Sequence, residues 1–481
     1  MEGVLVIVAL LLTLSVLGSK ASGRLGVPAM LFFLALGMLA GQSGLGALRF
    51  IDLTLTQLVG VLALVFILYS GGLDTDWRRV RAVLREGVLL STVGVLATAL
   101  LTAAFARLLG FTFWEGVLLG AIISSTDAAA VFTVLRSREV RLKGELEPLL
   151  ELEAGSNDPF AVFLTFGAIA LIQAADVSIW MLAPMAVVQF ALGGAAGLAI
   201  GYGAVRLINH IRLRFDGLYA VLTTAVVLFC YGATAILGGN GFLAAYLCGL
   251  VMGRADFIHK NSLMRFHDSI AWLMQIVMFL LLGLLVSPQQ LGMVAGKGLA
   301  VTAFLLLVAR PASVLVVLAG SRFNLRERLL IAWVGLRGAA PIILATFPLL
   351  AGISKAEMIF NIVFFVVLVS VLLQGTTVLP VGRLLNLTAP PRARGNPNLT
   401  ATYGLSTVVV PQRGAVAGQQ IVDLRLPSEV IIVRVLRDGQ TIVPHGGVEL
   451  EEGDVVLLVG EPALLEQAKH VLEMRRANPF V

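Results

Sequence analysis

Thirteen apolar runs separated by short polar breaks pattern most of the chain. They fall near residues 3–18, 27–41, 57–72, 87–109, 113–135, 148–174, 183–209, 217–237, 241–253, 268–287, 297–320, 328–350 and 357–379. Several approach the ~20 residues that a helix needs to cross ~30 Å of hydrocarbon, and the ninth is short. The pattern predicts an α-helical polytopic membrane protein with 13 transmembrane helices over residues 1–387. Beyond it the periodicity changes. Residues 388–399 are rich in turn formers and read as a linker. Residues 407–410, 430–435 and 455–459 are short β-type runs broken by Gly, Pro and Asp, and residues 463–473 read as a helix. Residues 400–481 are therefore expected to form a small cytosolic α+β domain, small enough to gain stability by dimerising. It carries neither GxGxxG nor a P-loop, which argues against a full dinucleotide-binding module.

Composition agrees with the membrane reading. The 481 residues are 58% hydrophobic and 13% charged, against about 25% charged in soluble domains. Mean hydropathy is +0.93. The net charge of +6 does not point to nucleic acid, because the basic residues cluster in short loops between apolar runs. With the N-terminus outside, the outer loops and span ends hold only Arg49, Arg107, Lys297 and Lys355. The inner loops hold the many others, from Lys20 to Arg394, so the C-terminus is expected inside. Cys230 and Cys248 both lie in apolar runs, and no disulfide framework is expected. The first run begins Met-Glu-Gly without a basic residue and reads as an uncleaved span. Gly193, Gly197 and Gly201, four apart on the seventh run, permit close helix approach, within the chain or between copies.

Charged residues inside the apolar runs carry the chemistry. A charge at bilayer depth costs roughly 2.5–3.5 kcal/mol on insertion scales, so each one suggests a function. Glu153-Ala-Gly155-Ser-Asn157-Asp158-Pro159 opens the sixth run, and Ser124-Ser125-Thr126-Asp127 interrupts the fifth. Arg310 precedes Pro311 in the eleventh, and Gly335-Leu-Arg337-Gly-Ala-Ala-Pro341 interrupts the twelfth. A low-dielectric site favours the neutral form of a carboxyl group. Asp158 is thus expected to hold a proton or a monovalent cation, but not both, which is antiport in its simplest form. Gly155 and Pro159 are expected to open the helix around it and free carbonyls as ligands. Asp127 and Thr126 would add a carboxylate and a hydroxyl from the neighbouring helix. Glu153, about 140° around the helix from Asp158, needs its own counter-charge, with Arg310 preferred and Arg337 the alternative. The interrupted fifth and twelfth runs suggest an inverted repeat with the site between them. His210, His259 and His267 are placed in inner loops. No metal cluster, nucleophile–base pair or cofactor loop argues for an enzyme, and no filter-like sequence argues for a channel gated by the tail.

In this order and combination, these motifs resemble the monovalent cation:proton antiporters of the NhaP-like branch, in particular the CvrA-type potassium/proton antiporters. The likeness covers roughly residues 1–385. The tail, with Glu449-Leu-Glu-Glu-Gly-Asp454-Val-Val, is similar to the C-terminal half of a potassium-conductance regulator (RCK-C, or TrkA-C) domain. The resemblance implies a homodimer of thirteen-helix protomers in the inner membrane. Runs 1–3 and 8–10 would form the dimer domain, and runs 4–6 and 11–13 a mobile core that moves as an elevator. The broken fifth and twelfth helices would cross. It further implies that Asp158, Asp127 and Thr126 bind the ion, that Asn157 marks an electroneutral exchanger, and that Glu153 pairs with Arg310. A small regulatory ligand such as a nucleotide would bind the tail. Some relatives carry serine four residues before the key aspartate. Here Ala154 stands there, which favours potassium over sodium as the transported ion.

Overall fold

A computed structural model describes residues 2–25, 28–41, 52–138, 140–173, 178–286, 288–338, 340–389, 404–412, 414–424, 426–427 and 429–474. The chain divides into two compact units, Met1–Pro390 and Pro391–Val481.

Each apolar run of the first unit corresponds to one helix or a jointed series. In order these are α1 (Glu2–Leu25), α2 (Ala29–Ala40), α3 (Leu53–Asp74) and the jointed α4 (Trp77–Val80), α5 (Leu84–Leu89) and α6 (Val95–Leu108). The fifth run is split into α7 (Phe113–Ser124) and α8 (Ala128–Ser137). After β1 (Arg141–Leu142) come α9 (Leu146–Gln173), α10 (Ile179–Ile211), α11 (Asp216–Ile236), α12 (Gly241–Arg254) and α13 (Lys260–Leu285). The eleventh run is α14 (Pro288–Phe304) with α15 (Arg310–Val317). The twelfth is split into α16 (Leu325–Val334), α17 (Ala340–Leu344) and α18 (Thr346–Leu350), and the last is α19 (Ala356–Leu384). Among the described residues, eight helical segments are long and apolar enough to cross a membrane, two of them the jointed stretches Trp77–Leu108 and Gln289–Val317. β2 (Thr388–Ala389) pairs antiparallel with β1, so the start of the expected linker belongs to the first unit. Residues 390–399 of that linker lie outside the described residues.

The unit is built from two corresponding halves. The fourth run carries a π-helical turn at Leu90–Gly94 and the eleventh one at Leu305–Ala309. These runs meet where Thr98 donates to Ser313 at 3.0 Å. The fifth and twelfth runs both open with a capping box, Thr112 with Glu115 and Asn324 with Glu327. The reciprocal bonds satisfy backbone donors that a helix start leaves without partners. Both runs then break midway, at residues 125–127 and from residue 335.

Small residues set the helix spacing. A Cβ at Gly193 or Gly197 would crowd Asn240 and Ala244 of α12, and one at Gly201 would touch Val251 and Cys248. The glycine stripe of α10 is thus a packing surface within the chain. Two sequence expectations need correction. α9 runs unbroken through Gly155 and Pro159. The proline removes one hydrogen bond, but packing on both sides holds the helix together. Gly155 serves close approach instead, since a Cβ there would enter the ring of Tyr246 on α12. The histidines, too, are not all in loops. α13 starts at Lys260, eight residues before the apolar run, because its first turns are amphipathic. His267 lies inside it, 1% exposed, bonded to Thr223 at 2.8 Å. His210 belongs to α10, and His259 precedes α13.

The second unit contains β3 (Gly404–Val409), β4 (Ile431–Arg437), β5 (Gln440–Ile442), β6 (Val455–Gly460) and α20 (Pro462–Glu473). The strands form an antiparallel sheet in the order β3-β6-β4-β5. Val408, Val435, Val456 and Leu458 alternate inward to meet Leu465, Ala468 and Leu472 of the helix. Buried Asp454 fixes the turn before β6. It accepts from Arg437 Nε and Nη2 at 2.8 Å each and from the Glu451 N–H at 2.8 Å. Burial raises the proton affinity of Asp454, but these bonds outweigh it and hold the carboxyl below its ordinary range.

Candidate functional site

The two gaps in the broken helices touch. The Asp127 N–H donates to Leu336 O at 2.7 Å, joining one gap to the other. Gly338 is needed at this crossing, because a Cβ there would overlap the Asp127 carboxylate. Interrupting a helix leaves carbonyls and N–H groups without helical partners. Here the two interruptions satisfy part of each other's deficit, and the rest falls to buried polar side chains.

α9 passes beside the crossing and presents two neighbouring polar residues to it. Asn157, fully buried, donates through Nδ2 to Thr126 Oγ1 at 2.6 Å and more distantly to Thr126 O at 3.4 Å. Asp158 is 8% exposed and accepts a hydrogen bond at Oδ1 from Ser125 Oγ. Asp127 is half-buried, and its charge acts on Asp158. The hydroxyl at the Asp158 carboxylate is therefore that of Ser125, while Thr126 is engaged by Asn157.

Glu153 lies one turn and a fraction earlier on α9, facing elsewhere. Its Oε1 is 2.6 Å from Arg310 Nη2, and both side chains are at most 2% exposed. Arg310 follows the π-turn of the eleventh run, and its guanidinium also reaches Ile331 O of α16 at 3.5 Å. The pair thus ties α9 to the eleventh run at the start of α15. Arg337, the other arginine considered for Glu153, is fully buried in the second gap. Among the described residues no carboxylate lies within ion-pair distance of it. Its Nη1 donates to Gly335 O at 3.0 Å, placing positive charge at the C-terminal end of α16, where the helix dipole favours it.

α19 completes the second gap. Ser370 Oγ accepts from the Arg337 N–H at 2.9 Å and donates to Gln374 Oε1, while Gln374 Nε2 donates to Trp333 O at 2.6 Å. From the other side, Asn240 at the start of α12 donates to Pro159 O at 2.9 Å. Sequence reasoning singled out none of Ser125, Asn240, Ser370 and Gln374. Ser370 and Gln374 carried a usable signal: two polar residues four apart in an apolar run share a helix face and need partners. Among the described residues, no histidine or cysteine side chain bonds to the crossing.

The arrangement is a cluster of two carboxylates, two hydroxyls and a carboxamide, backed by a carboxylate–guanidinium pair and a second guanidinium. It offers oxygen ligands suited to a hard cation and a carboxylate able to take a proton.

Comparisons with known proteins agree with the fold. The family model described as sodium/hydrogen exchanger, transmembrane, matches residues 7–384, and the TrkA-C domain model matches residues 405–473. The K(+)/H(+) antiporter NhaP of Alkalimonas amylolytica is 37% identical over 476 residues, 97% of this chain and 83% of that protein. The K(+)/H(+) antiporter NhaP2 of Shewanella baltica (strain OS223) is 38% identical over 483 residues, 98% of this chain and 83% of that one. Among solved structures, the sodium proton antiporter MjNhaP1 from Methanocaldococcus jannaschii superposes with a TM-score of 0.68 at 24% identity, covering 80% of this chain and 99% of its own. The chain belongs to the sodium/hydrogen exchanger family, with a TrkA-C domain after its membrane-spanning unit.

Proposed function

We propose that this protein is a secondary transporter that exchanges potassium for protons across the cell membrane. Asp158 is its shared site. The observation that carries this reading is the placement of Asp158, beside the Ser125 hydroxyl and Asp127, where two broken helices cross. Potassium is preferred because the two relatives described above are named for it and because α9 has Ala154 one turn before Asp158.

Charge counting supports an electroneutral cycle. Arg310, Arg337, Glu153, Asp127 and Asp158, all ionised, sum to one negative charge. One proton neutralises the cluster, and so does one monovalent cation. The two loaded forms then have the same charge, so either can move through the low-dielectric interior while the unneutralised form is held back. Asp127 and Thr126 would help hold the cation, and Asn157 would keep the first gap in shape. Glu153, Arg310 and Arg337 would bind the gaps into one rigid body. Movement of that body against a fixed scaffold, as an elevator, would expose Asp158 to each side in turn.

We place the C-terminus in the cytoplasm on the strength of the loop-arginine asymmetry, and take a homodimer in the inner membrane from the family resemblance. The tail would act as a regulatory domain for a small ligand. The test is proton movement in proteoliposomes driven by potassium or sodium gradients, for the native protein and Asp158→Asn. Exchange lost in the variant supports the proposal, and full exchange in the variant refutes it. Exchange with sodium alone would overturn the choice of ion.

A further inference from the structure

Asp158 receives its hydrogen bond from outside its own helix. The residues sharing its face of α9, three and four positions away, are Ala154, Gly155, Ala161 and Val162, and none has a polar side chain. The hydroxyl comes instead from Ser125, the first residue of the first gap, which is 1% exposed. Thr126, next in the gap, is engaged by Asn157. The backbone at Ser125 (φ −60°, ψ 141°) is one any residue adopts, so the turn does not require serine. Its hydroxyl therefore points to a role at the carboxylate.

We propose that Ser125 is the positioning residue of the ion site. Its hydroxyl donates to the empty Asp158 carboxylate and turns a lone pair to the cation when one binds. In doing so it holds the carboxylate in the orientation that the cation meets and adds one oxygen to the cation's shell. This rests on Asp158 being the shared site. A bound cation takes the proton's place on the carboxylate, and the hydroxyl then becomes a neutral oxygen ligand. The elements packed on α9 carry other titratable groups: Asp127 in the first gap, Arg337 in the second, Tyr246 on α12, Glu86 on α5 and Asp74 on α3. Arg79 of α4 is committed to Glu147, and α9 itself adds Glu151 and Glu153. Of these, Asp127 is the one whose charge acts on Asp158. It remains in place in every variant below.

The experiment compares native protein, Ser125→Ala, Ser125→Thr and Asp158→Asn in proteoliposomes, with potassium and sodium chloride as probes from pH 5.5 to 9. Losing the hydroxyl raises the half-saturating cation concentration of Ser125→Ala roughly tenfold, while the maximal rate changes much less. Ser125→Thr restores the native profile. The same variants are melted in detergent with and without cation at each pH, a readout independent of transport. A Ser125→Ala protein whose cation-induced stabilisation has the native concentration dependence overturns the inference, whether or not it transports. So does an unchanged half-saturation. Exchange that survives in Asp158→Asn removes the site reading itself, and is distinguished by that variant alone.

Discussion

Replacing Arg310 by Met tests whether the Glu153–Arg310 pair holds the crossing together. The two side chains meet at 2.6 Å and are at most 2% exposed. Removing one partner of such a pair leaves the other charge uncompensated, at a cost of about 3–5 kcal/mol. Arg337 is not within ion-pair distance of Glu153, and its Nη1 is turned to the Gly335 carbonyl. The contact from Arg310 to Ile331 O, at 3.5 Å, adds little. Removing both charges, in Arg310→Met with Glu153→Gln, leaves a neutral amide and should recover more than half of the loss. Unfolding of the purified protein in mixed micelles with rising SDS gives the three free energies. A single variant within about 1 kcal/mol of native would refute the argument. A double variant less stable than the single one would refute it equally.

Other consequences can be measured in parallel. Gly155→Ala pushes a methyl into the Tyr246 ring, which is 2% exposed and has little room to yield. It should destabilise by about 1–3 kcal/mol, and Tyr246→Leu on the same chain should relieve most of that; no relief would show that the contact is unimportant. In the tail, the Asp454 carboxyl is held below its ordinary range, so the stability it contributes is present above that range and lost as pH falls through the lowered value. Arg437→Met should therefore destabilise the tail at neutral pH, with a gap from native that closes on acidification; a gap independent of pH would contradict the bonding described. Deleting residues 400–481 should change the pH or cation dependence of exchange, and identical curves would argue against a regulatory tail.

Much of the architecture was legible because lipid makes strict demands. Each apolar run became a helical segment, and the charged residues inside runs marked both broken helices and the Arg310 position. The strands of the tail lie within a few residues of their β-type runs. What was misread has local causes. Gly155 and Pro159 looked like helix breakers, but the reason for the glycine is a ring on another helix, which no local pattern displays. His267 looked like a loop residue because the first turns of α13 are polar on one side only. β5 was passed over although Asp438-Gly439, both with positive φ, is a strong hairpin signal. Ser125 was overlooked beside Thr126 because spacing does not tell which of two adjacent hydroxyls faces α9.

The most direct test of a single carboxylate shared by proton and cation needs no membrane. Purified protein in weakly buffered detergent, at a pH where the site is protonated, is mixed with potassium or sodium chloride while a dye records proton release. One proton should appear for each cation bound, and none in Asp158→Asn. Cation binding without proton release, or release that persists in Asp158→Asn, would contradict the account.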